Sequence, residues 1–137
     1  MEKILIDSGP MIALFDQSDH YHMSSVEFIR DCNAELVTTL ASLTESLHML
    51  DFNRQVQMDF LTWVNAGALT IESIEENDLG RVQTLMQKYL DLPMDFADAC
   101  LVYLAEKLNI QTIATIDRDF DIYRIKGKHP FTTLIKG

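Results

Sequence analysis

Short apolar runs alternate with longer stretches of helical periodicity along the chain. Residues 3–6, Lys-Ile-Leu-Ile, form a β-branched run that predicts a strand ending at Asp7. Ser8 can cap a following helix, with Pro10 in its first turn, where a missing N–H costs nothing. That helix would run to about Gln17. Met23, Val26 and Phe28–Ile29 fall near helical spacing and predict a second helix within 20–33. Residues 34–40 read as a brief strand. Residues 42–52 and 54–67 read as helices, with Gly67 as a C-cap. A strand over 68–74 precedes a helix over 75–90 whose acidic start suits the helix dipole. A helix over 94–109 follows, then strands over 112–117 and 130–135.

This alternation predicts an α/β fold in a single domain over 1–137, a central mainly parallel sheet joined by right-handed crossovers with helices on both faces. Apolar residues make up 47% of the chain and charged residues 23%, the balance of a soluble globular protein. No apolar run reaches the roughly 18 residues of a membrane span. The apolar run at the N-terminus is short and meets Asp7 at once, which reads as a first strand and not as a signal peptide. Cys32 and Cys100 stand far apart without metal-ligand spacing, which predicts reduced, buried thiols in a cytoplasmic protein. Trp63 and the methionines read as core.

The net charge of −10 argues against a passive nucleic-acid binder, but not against an enzyme whose acids hold metal ions. Five of the 11 basic residues, Arg118, Arg124, Lys126, Lys128 and Lys136, fall in the last 20 positions. They read either as a solvated basic edge or as a strip contacting the phosphates of RNA.

In open parallel sheets, ligands bind beyond the carboxyl ends of the strands. Asp7, Glu45, Asp98 and Asp117 all fall at such ends or at the starts of helices that follow. Each also has a structural explanation. Ser42 to Glu45 forms a capping-box sequence, in which the glutamate reaches back to the cap. Asp95 is the N-cap expected for the helix over 94–109. Asp98 is harder to explain away, because Leu101, Val102, Ala105 and Leu108 continue its face down that helix. A carboxylate on an apolar stripe is costly unless it is paired or bound to a metal. Asp7 could be a turn residue, and Asp117 sits on an acidic loop with Asp119, a weaker second acid. Ser8 and Thr115 could hydrogen-bond neighbouring carboxylates. His20 and His22 diverge on a helix, and no Gly-rich phosphate loop, nucleophile elbow or zinc signature is present.

Taken together, "ILIDSGPMIALFD", Glu45 in "SLTESLHML", "DFADACLVYLAEKLNI" and "TIATIDRDF" resemble, in order and spacing, the PIN domain over nearly its full length. The resemblance is to small stand-alone prokaryotic PIN proteins, VapC-type toxins among them. It implies a three-layer α/β/α fold and a metal-dependent ribonuclease. It also implies Asp7, Glu45, Asp98 and Asp117 as catalytic, metal-binding acids, with Asp119 as an additional ligand and Ser8, Thr115 and Asp95 as auxiliary residues. Hard oxygen donors of this kind favour Mg²⁺ or Mn²⁺. The expected partners are RNA, an antitoxin protein and, from the apolar and aromatic side chains of residues 20–65, a second copy in a homodimer. Two other readings stay open on the residues alone: a non-catalytic interaction module, and a phosphatase with Asp7 as nucleophile.

Overall fold

The computed structural model of the protein describes residues 1–135, so Lys136 of the basic C-terminal group lies outside the described residues. The strands are β1 (Lys3–Ile6), β2 (Glu35–Thr38), β3 (Thr70–Ile71), β4 (Thr112–Ala114), β5 (Arg124–Ile125), β6 (His129–Pro130) and β7 (Thr132–Leu134). The helices are α1 (Ser8–Phe15), α2 (His22–Asp31), α3 (Leu40–Met49), α4 (Arg54–Trp63), α5 (Leu79–Lys88) and α6 (Phe96–Leu108). Five strands form one parallel sheet in the order β3-β2-β1-β4-β7, with Lys3 opposite Glu35, Leu5 opposite Ile113 and Ala114 opposite Leu134. β5 and β6 form a separate antiparallel hairpin.

The central strands β1, β2 and β4 are buried on both faces, which explains why they are apolar runs and not alternating ones, whereas the edge strands β3 and β7 are partly exposed. Leu5, Val37 and Ile113 point to one face and pack with Val82 and Leu85 of α5 and Leu101 and Leu104 of α6. Ile4, Ile6, Leu36 and Ala114 point to the other and pack with Met11 of α1, Leu43 of α3 and Phe60 of α4. The layers are therefore α/β/α, as the alternation predicts. From β1 the chain builds β2 and β3 on one side, then returns to place β4 on the other. The reversal opens a crevice at the carboxyl ends of β1 and β4, where such sheets bind ligands.

Several local expectations change, each for a physical reason. Asp7, not Ser8, caps α1: its backbone is extended and its carboxylate accepts from the Ser8 N–H. The capping box from Ser42 to Glu45 does not form, because α3 starts earlier and Thr39 caps it by accepting from the Ser42 N–H. The strand expected over 68–74 shrinks to Thr70–Ile71 at the sheet edge, where β2 is its partner. The helix expected over 75–90 begins as a 3-10 turn, Glu76–Asp78, since Glu75 and Asp78 cap each other's backbone. α4 passes into a π turn that closes at Gly67, whose φ of 92° suits glycine. The β5–β6 hairpin was not expected. It turns at Lys126 and Gly127, with φ of 55° and 71°, the positive pair of a tight hairpin turn.

The core also leaves out residues expected within it. Met23, Met49 and Met58 are exposed, because α2, α3 and α4 turn those positions outward. Trp63 does pack, against Phe15 and Phe60. Cys100 is a buried free thiol, whereas Cys32 is only half-buried. No helix among the described residues is long and apolar enough to cross a membrane.

Candidate metal centre

Asp7 leaves β1 with its N–H donating to the Ala114 carbonyl of β4 at 3.0 Å, which fixes it between the two strands. Its carboxylate is buried, and each oxygen accepts one hydrogen bond. Oδ1 accepts from the Ser8 N–H at 2.8 Å and Oδ2 from Thr115 Oγ1 at 3.0 Å. Thr115 follows β4, and its hydroxyl oxygen also accepts from the Asp117 N–H at 3.0 Å. One side chain thus ties the acid after β1 to the acid after β4. Asp117 in turn caps the 3-10 turn Arg118–Asp121, its Oδ1 accepting from the Asp119 N–H at 2.9 Å.

Asp98 arrives from the opposite side of the crevice. Asp95 caps α6, accepting from the Asp98 N–H at 2.8 Å, and so takes the structural role expected of it. Asp98 itself turns inward and is buried, with Tyr123 Oη donating to its Oδ2 at 3.1 Å. One carboxylate oxygen from each of Asp7, Asp98 and Asp117 lies within 4.8 Å of the other two. Asp117 is the most open of the three. Glu45 stands beside this group and not within it; α3 carries it to Ser8, whose Oγ donates to Oε1. Freedom from the capping box is what lets it do so. Asp119 forms part of the same turn but is not one of the three converging acids.

The electrostatics are those of an unneutralised anionic cluster. Burial pushes the Asp7 carboxyl up to about 7, the hydrogen bonds from Ser8 and Thr115 oppose it, and the charges of Glu45 and Asp117 add to it. Burial likewise raises Asp98, followed by the charges of Asp7, Asp95 and Asp117, while the Tyr123 hydrogen bond works in the other direction. Asp119 is raised by burial and by Asp117. Among the described residues no lysine or arginine forms an ion pair with these acids; the pairs found are Lys3–Glu35, Arg30–Asp31 and Arg81–Glu106. Hard, anionic oxygen donors converging on one point without a protein cation fit a divalent cation such as Mg²⁺ or Mn²⁺. A groove of about 900 Å³ beneath α2, lined by Ile4, Phe28 and Leu134, lies elsewhere and brings no such buried acids together.

Comparison with known proteins agrees with this architecture. A family model described as PIN domain matches residues 4–126. The chain belongs to the PIN domain family. Ribonuclease VapC26 of Mycobacterium tuberculosis is 26% identical to it over 135 residues, covering 96% of this chain and 99% of the relative. Among solved structures, VapC20 of M. tuberculosis, described as a sarcin-ricin loop cleaving toxin, superposes with a TM-score of 0.79 at 16% identity. That match covers 87% of this chain and 93% of the other. VapBC2 of Rickettsia felis, bound to a DNA fragment from its promoter, superposes with a TM-score of 0.66 at 11% identity, over 96% and 98% of the two chains.

In this PIN domain the basic residues near the C-terminus are not equivalent. Arg118 is exposed in the turn that Asp117 caps, between Asp117 and Asp119. Arg124 instead folds back on the backbone carbonyls of Asp121, Ile122 and Tyr123. Lys126 Nζ donates to Asn109 Oδ1, and Lys128 is exposed on the hairpin. Tyr123, which touches the cluster through Asp98, is not marked by periodicity or motif. Its only sequence signal is an aromatic two positions past the acidic turn that ends at Asp121.

Proposed function

We propose that this PIN domain is a Mg²⁺- or Mn²⁺-dependent endoribonuclease and the toxin of a toxin–antitoxin pair. The observation that carries the reading is the convergence of Asp7, Asp98 and Asp117. The names of its relatives VapC26 and VapC20 give the substrate class. Asp7, Asp98 and Asp117 would hold the ion, with Glu45 and Asp119 beside them. When bound, the ion supplies positive charge and Lewis acidity for attack of water on a phosphodiester. Thr115 keeps Asp7 and the Asp117 backbone in register. Ser8 holds Glu45 by one oxygen, which leaves Oε2 to take a proton from the attacking water. Arg118, exposed between Asp117 and Asp119, would meet an RNA phosphate, with Arg124, Lys126 and Lys128 in secondary roles.

The antitoxin partner rests on the likeness to VapBC2. Self-association is supported by Leu40, Ile71, Leu79 and Phe96, four exposed apolar side chains lining one groove of about 290 Å³. The decisive assay is cleavage of a mixed RNA pool with Mg²⁺ or Mn²⁺ present. Asp98→Asn should fold normally and lose at least about 100-fold in rate. Undiminished cleavage by the wild-type protein in excess EDTA would overturn the reading.

A further inference from the structure

Tyr123 is wholly buried, yet its hydroxyl ends on a carboxylate of the acidic cluster. Its ring is held edge-on between Tyr89 and Phe120, with centroids at 5.0 Å in both cases, and Phe120 is braced in turn by Phe131 at 5.6 Å. The backbone is fixed as well, since the Tyr123 N–H donates to the Asp119 carbonyl at 3.1 Å. The segment from Asp117 to Tyr123 therefore delivers two things to the same place: the carboxylate of Asp117 and a rigid donor for Asp98.

Asp98 needs such a donor. It projects from a helix whose surrounding residues Ala97, Ala99, Leu101 and Val102 are apolar and buried. Among the described residues, Tyr123 is the side chain that donates to it. Without that anchor, only the broad, roughly two-fold terminal torsion of the carboxylate and its apolar surroundings set where its oxygens point. Groups that hydrogen-bond a metal-binding carboxylate fix its orientation, and their loss weakens metal binding. We infer that Tyr123 is a positioning residue of the metal centre, its phenol holding Asp98 toward Asp7 and Asp117. This inference rests on the reading of the cluster as a divalent-metal site.

The plainer alternative is that Tyr123 merely fills the core and finds Asp98 as a convenient acceptor. Tyr89 supplies the comparison. It packs in the same aromatic group, but its hydroxyl accepts from the Arg124 N–H at 2.9 Å and touches no carboxylate. Removing either hydroxyl perturbs the same core, and only one removal reaches the acids.

The test is Mn²⁺ binding by calorimetry to the full chain, with thermal melting of the metal-free protein alongside. Tyr123→Phe should raise the Mn²⁺ dissociation constant by about 10–100-fold. Tyr89→Phe should leave it unchanged, with similar metal-free melting for both variants. Mn²⁺ binding by Tyr123→Phe equal to wild type overturns the inference while leaving the metal site intact. Equal weakening in both variants also overturns it, since packing then accounts for the loss. A wild-type protein that binds no Mn²⁺ defeats the metal reading and this inference together. Wild-type protein carrying 3-fluorotyrosine gives a second readout that does not depend on how the variants fold. On titration with Mg²⁺ the ¹⁹F resonance of Tyr123 should shift and that of Tyr89 should not; a Tyr123 resonance unmoved at saturation overturns the inference.

Discussion

Asp7 performs three structural tasks with one carboxylate. It ends β1, caps α1 through the Ser8 N–H and anchors Thr115. Burial beside Glu45 and Asp117 lifts its pKa from the ordinary 3.8 to about 7, so holding the ionised form in the folded, metal-free protein costs stability. An asparagine keeps the shape. Its Oδ1 can still accept from Ser8, and its amide can donate to the Thr115 hydroxyl. Asp7→Asn should therefore raise the metal-free unfolding free energy at pH 8 by about 1–3 kcal/mol, measured by urea titration, while abolishing Mn²⁺ binding. Stability lost in that variant would mean the charge is already compensated within the protein. Such a trade, stability gained as function is lost, is what a site assembled for an external cation predicts.

At the scale of elements, α6 decides where the centre sits. Its buried face is continuous from Ala97 to Ala105, wedged between the sheet and α5, and Asp98 shares that face. The helix is positioned by packing, and its cap at Asp95 only sets where it starts. Leu101, fully buried one turn below Asp98, should cost about 2–5 kcal/mol on replacement by alanine, read from chemical denaturation. A loss under 1 kcal/mol would mean α6 is held by something other than its apolar face. The apolar face of α6 could be read from the sequence, because its periodicity is strong. The start of α3 could not. Thr39 and Ser42 are both good caps, and the choice between them depends on where β2 ends against β1. That choice leaves Glu45 to meet Ser8 instead of its own helix terminus.

At the scale of the molecule, the acids act as a linked group. Asp7 and Asp98 both bind protons more tightly in the folded than in the unfolded state. Between about pH 4 and pH 7 the native protein therefore holds more protons, and metal-free stability must fall as pH rises through that window. The slope should reach about 1.4 kcal/mol per pH unit for each such group in mid-window, and thermal melts across the range would measure it. Saturating Mn²⁺ should flatten the slope, because the metal-bound carboxylates, like those of the unfolded chain above about pH 4, carry no proton. A metal-free stability that rises steadily from pH 4 to 7 would contradict the electrostatics of the cluster. The net charge of −10 adds general repulsion at higher pH in the same direction.

The order of the helices and of the five strands of the parallel sheet, the α/β class and the four acids as a set to examine follow from the sequence alone; the β5–β6 hairpin does not. Their signals are local: apolar runs suited to a sheet buried on two faces, helical spacing, and carboxylates where strands end. The tertiary structure decided which of those acids meet. Asp7 lies 108 positions from Thr115 and Asp98 lies 25 from Tyr123. Contacts across such separations are selected by the crossing of the chain from β3 to β4 and by the packing of an aromatic core. No spacing rule along the chain encodes either, which is why the phenol facing Asp98 appears only once the chain is folded.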